Sequence, residues 1–177
     1  LIYSKKNPSL LKNGENFSVI LLENERQRLS ELFRNNGYFY YRPDFITYQA
    51  DTIQRPGFVS LRVLPIPGLP NIVNKRYVIG NTSVYMNGYN GETPNDSVEY
   101  NGMKLFYSGK RPGISPSVLR KRLLLRKGRL YSQRRHTSTQ DALAHLGVFK
   151  YSEFRYTPKD TLPGCDTLNV VINTMFD

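Results

Sequence analysis

Between Ser18 and Asn36 the apolar residues Val19, Leu22, Leu29, Leu32 and Phe33 fall mostly at helical spacing, with Glu23, Glu25, Arg26, Arg28 and Arg34 between them. That pattern predicts an amphipathic helix. Asn35-Asn36-Gly37 ends it, because glycine takes the left-handed conformation that closes a helix without a side-chain clash. Two strands are predicted next. The first, Tyr40 to Gln49, carries Pro43, which cannot donate to a ladder and so places the strand at a sheet edge or near its own start. In the second, Phe58 to Leu64, Val59, Leu61 and Val63 alternate with Ser60 and Arg62, the period-two signature of a strand with one buried face.

Pro65-Ile66-Pro67-Gly68-Leu69-Pro70 can neither continue a strand nor open a long helix. It divides the chain into a module of residues 1–70 and a module of residues 71–177. In the second, Arg76 to Met86 reads as a strand and Met103 to Tyr107 as another. The intervening segment is rich in Gly, Asn, Asp and Pro and is expected to be an inserted polar loop at about 87–102. Ile114-Ser115-Pro116, with serine as cap and proline in the first turn, opens a helix through Leu125. A further helix is expected from Ser138 to Leu146, capped by Thr137 with Gln140 as its box partner and closed by Gly147.

The halves repeat. Gly14-x-x-Phe17-Ser18 matches Gly128-x-x-Tyr131-Ser132, a helix follows each, and Gly37-Tyr38-Phe39 matches Gly147-Val148-Phe149. An aromatic-rich strand comes next (Phe45 and Tyr48; Phe154 and Tyr156), then Asp51-Thr52 or Asp160-Thr161, a Pro56-Gly57 or Pro163-Gly164 turn, and an alternating strand. Several features in one order with small length differences argue for duplication. In the first copy Pro8 to Lys12 is the candidate first helix, and its leading strand is expected in Leu1 to Ser4 or upstream. The expected fold is therefore α+β: tandem β-α-α-β-β modules, each a small three-stranded mixed sheet with two helices on one face. Such a sheet keeps an open edge, where an extended polypeptide can add as a further strand. The candidate docking rails are Phe45, Thr47, Tyr48 and Gln49 in the first module and Phe154, Tyr156 and Thr157 in the second.

Composition adds less. The 177 residues, 39% hydrophobic and 22% charged, are enough for one large or two small domains. No apolar run approaches the roughly 18 to 20 residues of a membrane-spanning helix. Leu1 is not a start methionine, which leaves room for an upstream part, including a signal peptide. Cys165 is the only cysteine, so an internal disulfide and a thiolate metal cluster are excluded. Thirteen Tyr without Trp fit either a Tyr-rich sheet or an exposed contact surface.

Lys and Arg outnumber Asp and Glu 25 to 14, for a formal charge of +11. Eight of these cations, Arg120, Lys121, Arg122, Arg126, Lys127, Arg129, Arg134 and Arg135, fall in sixteen positions with no acid among them. They form a basic patch suited to an anionic membrane surface, an acidic client or a partner subunit, or else a solvated helix face. Net charge alone also admits a nucleic-acid-binding protein, although interleaving by Tyr131 alone is thin for base stacking and no nucleic-acid partner is expected. The sequence has no Gly-rich phosphate loop, no His-Glu-x-x-His and no Gly-x-Ser-x-Gly. His136 reads as a solvated loop residue and His145 as a helix-end residue that helps the last carbonyls. Neither has an acidic or sulfur partner at metal spacing, so no catalytic residue, metal or cofactor is expected.

The succession of strand, helix, helix closing on Gly-Tyr-Phe or Gly-Val-Phe, strand and strand resembles polypeptide-transport-associated (POTRA) domains of the outer-membrane β-barrel assembly family, the surface-antigen group that includes BamA and TamA. Gly128-Arg129-Leu130-Tyr131-Ser132, Thr137 to Phe149 with its Leu-x-x-Leu-Gly-x-Phe, and Leu168 to Ile172 carry the likeness, and the Tyr- and Asn-rich sequence is similar to Bacteroidetes-type versions. The resemblance implies a periplasmic position in front of a carboxy-terminal membrane barrel, with unfolded outer-membrane proteins or accessory assembly subunits as partners and no enzymatic activity. A module that docks one fixed partner in secretion or cell division is the related alternative. Two departures from the pattern are the insertion at 87–102 and the missing leading strand of the first module.

Overall fold

The computed structural model describes residues 8–88, 93–159 and 166–177. It divides into two compact units, Leu1–Lys75 and Arg76–Asp177. The first unit extends beyond the proline-rich segment because Val73, in a short 3-10 turn at Asn71–Asn74, is buried in its core.

In the first unit, α1 (Val19–Asn35) begins where the Ser18 side chain accepts from the Leu21 amide. It ends as expected: Gly37 has φ +99°, and the Tyr38 amide reaches back to the Phe33 carbonyl at 3.2 Å, which satisfies a carbonyl at the helix end. An antiparallel pair follows, β1 (Ile46–Asp51) and β2 (Ser60–Pro65). Leu29, Tyr41, Ile46 and Val73 form the core, with Phe33, Tyr38, Tyr40, Phe45, Val63 and Leu69 packed against it. The strand expected from Tyr40 starts only at Ile46. Pro43 to Phe45 form a 3-10 turn instead, because proline's fixed φ and missing N–H suit the start of a helical turn better than a ladder. Pro8 to Lys12 is not helical; its Ser9 hydroxyl and Leu10 amide are engaged by Glu25 instead. Leu1 to Ser4 lies outside the described residues.

The second unit is built on a five-stranded mixed sheet in the order β4-β5-β3-β7-β6. β3 (Val78–Asn87) is central, with β5 (Met103–Tyr107) and β7 (Thr167–Phe176) parallel to it on either side. β4 (Asp96–Tyr100) pairs antiparallel with β5, and β6 (Phe149–Pro158) with β7. Val84 and Met86 of β3, Met103 and Leu105 of β5, and Leu168, Val170 and Ile172 of β7 are buried in alternation, as residues two apart on one face must be. Residues 96–100 of the expected polar insertion form β4. Ser97, Val98 and Tyr100 supply strand-compatible side chains, and Asn101 at φ +47° with Gly102 at φ +72° makes the tight reversal into β5. The α+β class is as expected, whereas the sheets contain two and five strands among the described residues instead of three each.

Two helices connect β5 to β6. α2 (Pro116–Arg122) stops before Leu125, and α3 (Gln133–Ala144) starts earlier than the Thr137 cap implied. Ser132 is the true cap, accepting from the Arg135 amide, just as its counterpart Ser18 caps α1. The Gly147 stop is present, with φ +65°. Asp160-Thr161 and Pro163-Gly164 of the second copy lie outside the described residues.

The two candidate caps separate cleanly by substitution. Ser132→Ala should lower the unfolding free energy of the second unit by about 1 kcal/mol. Thr137→Ala, at an exposed mid-helix position, should change it by less than about 0.5 kcal/mol in the same denaturant titration.

Candidate functional site, an open strand edge

β6 is an outer strand of the larger sheet. Its backbone polarity follows from the register. The Lys159 amide donates to the Thr167 carbonyl at 2.8 Å, one step beyond the Pro158–Leu168 pair. Because hydrogen-bonded and non-hydrogen-bonded pairs alternate in an antiparallel ladder, Thr157, Arg155 and Glu153 turn their N–H and C=O groups toward β7. Ser152, Phe154 and Tyr156 turn theirs to the outer edge. Pro158 falls in the outward set, where its missing N–H costs no internal bond. A register shift between Phe149 and Tyr151 limits the strand at its other end. The outward-facing stretch is thus bracketed by a bulge and a proline, both of which restrain uncontrolled strand pairing.

The side chains beside this edge are committed inward. Phe154 and Tyr156 pair with Ile172 and Val170 and share their helix-facing side of the sheet. The Tyr156 hydroxyl lies 2.8 Å from His136 Nδ1, its ring meets Tyr131 edge-on at 5.5 Å, and Phe154 meets the His136 ring at 4.9 Å. Tyr131 is buried and donates its hydroxyl to Gln133. His136 is therefore not a solvated loop residue; it sits half-buried on α3, because the helix begins at Ser132 and turns it toward β6. Thr157 is exposed, and Glu153 and Arg155 pair across the other side of the strand at 3.1 Å. His145 caps α3, its Nδ1 2.7 Å from the Asp141 carbonyl.

The first unit's rail residues are placed differently. Phe45 belongs to the 3-10 turn and packs on the core, so it is no part of a strand. The Ile66 amide donates to the Phe45 carbonyl. By the same alternation Thr47 and Gln49 face β2, and Tyr48 turns its backbone outward. The Tyr48 hydroxyl donates to the Leu22 carbonyl of α1 at 2.9 Å, and the Arg26 guanidinium lies 5.4 Å from its ring centroid. Burial, reinforced by the Glu25 charge, pushes the Tyr48 phenol up to about 12.

Glu25 was not singled out by the sequence, where it is one of several charges on an amphipathic helix. Its side chain is only 2% exposed and accepts from Ser9 Oγ at 2.8 Å, the Leu10 amide at 3.0 Å, and Arg28 Nε and Nη2 at 2.7 and 2.6 Å. Burial disfavours the charged carboxylate, but these hydrogen bonds and the Arg28 charge outweigh it and hold the group below the ordinary 4.5. The network clamps the Ser9 segment onto α1.

Among the basic residues, Arg120 and Arg135 have structural work. Arg120 donates to the Asn101 and Leu123 carbonyls at 2.9 and 3.3 Å, and Arg135 to the Leu130 carbonyl at 2.9 Å. Burial and the nearby Arg126 charge hold the Arg120 guanidinium below its usual value. Lys121, Arg122, Lys127, Arg129 and Arg134 are exposed, and Arg126 is half-buried. Among the described residues there is no group of three or more His, Cys, Asp and Glu placed to hold a metal, and no helix long and apolar enough to cross a membrane.

No protein-family model matches the sequence, and no curated protein matches it. Solved structures do. BamA from Haemophilus ducreyi lacking POTRA domains 1-3 is similar with a TM-score of 0.62 at 12% identity, over 98% of this chain and 27% of that one. The N-terminal domain of Omp85 from Thermosynechococcus elongatus aligns with a TM-score of 0.45 at 14% identity, over 93% of this chain and 55% of that one. POTRA1-3 of the periplasmic domain of Omp85 from Anabaena gives 0.44 at 16%, over 93% and 53%. At such identities the likeness is one of fold: the chain has an α+β fold matching that of POTRA domains, and it spans about a quarter of the Haemophilus ducreyi protein.

Substitutions at Glu25 and Tyr156 probe the supporting interactions. Glu25→Ala should cost the first unit about 3 kcal/mol, because it removes the buried charge partner of Arg28 and the acceptor of the Ser9 hydroxyl and Leu10 amide. Since the folded-state value of Glu25 is depressed, its contribution is complete above the unfolded value and fades as pH falls through the folded one. The wild-type melting midpoint should therefore fall, as pH drops below the ordinary carboxylate value of 4.5, more steeply than that of Glu25→Gln. Tyr156→Phe should cost about 1 kcal/mol and shift the His136 imidazole resonances, as expected for loss of one part-buried hydrogen bond.

Proposed function

We propose that the chain is a polypeptide-binding scaffold in the periplasm, part of an outer-membrane protein assembly or translocation factor whose carboxy-terminal barrel lies in the outer membrane. It docks unfolded β-barrel clients or accessory assembly subunits by strand addition. The observation that carries this reading is the outer position of β6, with the main-chain groups of Ser152 and Phe154 directed away from β7. Main-chain bonds to an extended client supply affinity with little dependence on its sequence. That suits a scaffold for many clients. The fold likeness to the Haemophilus ducreyi BamA structure supports the assembly setting, and the Tyr- and Asn-rich sequence supports a Bacteroidetes-type version.

The inward commitment of Phe154 and Tyr156 refines the site. Their side chains hold β6 on α3, so the client meets backbone along the edge and the exposed Tyr151, Glu153, Arg155 and Thr157 side chains on the opposite side of the strand. β1 is the secondary rail, offering the backbone of Tyr48.

Titrating labelled extended peptides from outer-membrane β-strands should shift the amides of Ser152, Phe154 and Tyr156 most. Ser152→Pro removes an outward N–H without touching a β7 bond, so binding should fall at least tenfold, as loss of a main-chain bond worth about 1 kcal/mol combines with a narrowed edge. Shifts confined to loops, with none along β6 or β1, would refute strand addition.

A further inference from the structure

The segment from α2 to the start of α3 is fastened at several points. Leu119, Leu123 and Leu125 are buried. The Leu124 amide donates to Thr139 Oγ1 at 3.1 Å, and that hydroxyl donates to the Arg135 carbonyl at 2.7 Å. Arg135 in turn holds the Leu130 carbonyl. The basic turn itself is laid along the start of β3: the Gly128 amide donates to Ile79, the Ile79 amide to Arg129, and the Tyr131 amide to Tyr77, each at 2.8 Å. The cations on this segment therefore project from a fixed backbone, which lowers the entropy lost when they meet a ligand.

No acid lies within the run, although Glu99 of β4 and Asp141 of α3 flank it. Residues 100–140 contain no Asp or Glu, and Lys121, Arg122, Lys127 and Arg129 take part in no ion pair among the described residues. Arg120 and Arg126 are close enough for one charge to be felt by the other. Two large apolar side chains are exposed within the same run, Val118 at 41% and Leu124 at 40%. On α2, Val118, Lys121 and Arg122 stand at i, i+3 and i+4, and so share one face of the helix.

We propose that this segment is a contact surface for anionic phospholipid headgroups, with Lys121, Arg122, Lys127 and Arg129 meeting the phosphates while Val118 and Leu124 enter the interfacial layer. Cations interspersed with exposed aliphatic side chains fit the headgroup boundary of a bilayer. A single-stranded nucleic acid would call for exposed aromatic platforms, and the one aromatic side chain in the run, Tyr131, is buried at 1% exposure. Contact here would lay the second unit against a membrane surface independently of any client on β6.

Flotation of the full chain with phosphatidylcholine vesicles, with and without one quarter phosphatidylglycerol, tests the assignment. Binding is expected only to the anionic vesicles and should weaken as salt rises. The triple variant Lys121→Ala, Lys127→Ala, Arg129→Ala should lower partitioning about a hundredfold, at roughly fivefold per cation. A control triple with the same net charge, Arg62→Ala, Lys150→Ala, Lys159→Ala, all at exposed positions, should lower it less than about tenfold. Val118→Ser with Leu124→Ser should abolish the binding that survives high salt. Equal losses in the two triples would reduce the effect to net charge and overturn the proposal. So would absence of binding to anionic vesicles, or tighter binding to single-stranded RNA at the same salt. Peptide-induced shifts on β6, measured in the same variants, report separately on strand addition.

Discussion

The parallel pairing of β3 with β7 is the constraint from which the rest of the larger unit follows. Two parallel neighbours cannot be joined by a tight turn, so a long crossover must intervene. Here the connection carries the β4–β5 hairpin, α2, α3 and β6. Because β7 already has β3 on one side, β6 can only fold back onto its other side and become the outer strand. The β4–β5 hairpin fills the remaining side of β3 and extends the sheet in the opposite direction. An open edge at β6 is thus built into the connectivity.

What the edge can recognise depends on where its side chains are spent. Phe154 and Tyr156 are occupied by His136 and Tyr131, and this packing fixes β6 against α3. With these side chains turned to α3, β6 directs main-chain groups of Ser152, Phe154 and Tyr156 toward its outer edge. The first unit follows a similar economy: the Tyr48 hydroxyl is taken by Leu22 of α1, while Glu25 anchors the preceding segment through Arg28, Leu10 and Ser9. Polar groups near both sheets thus serve packing first.

Much of the fold is legible in the sequence, and the exceptions have identifiable causes. The Gly37 and Gly147 stops were readable because a left-handed residue after an apolar repeat has few other uses. Aligning the halves also placed Ser132 opposite Ser18, and both cap their helices. The capping-box pattern at Thr137 and Gln140 competed with that alignment and was misleading, since the tertiary fit of His136 and Thr139 against β6 and Leu124 requires the earlier start. β4 was hidden because five residues among Gly, Asn and Pro carry too short an alternation to stand out; its pairing with β5 supplies the stability that its own sequence does not advertise.

The sequence by itself determined the α+β class, the helix stops, the alternating strands and the concentration of cations between α2 and α3, because these depend on local periodicity and backbone preference. Only the tertiary structure decided which strand is outermost, which backbone groups face outward, that His136 and Tyr156 meet, and that Glu25 is buried. Those properties arise from register and from contacts between residues far apart in the chain. A shift of one residue in register would have exchanged the inward and outward groups of β6 without altering any local pattern.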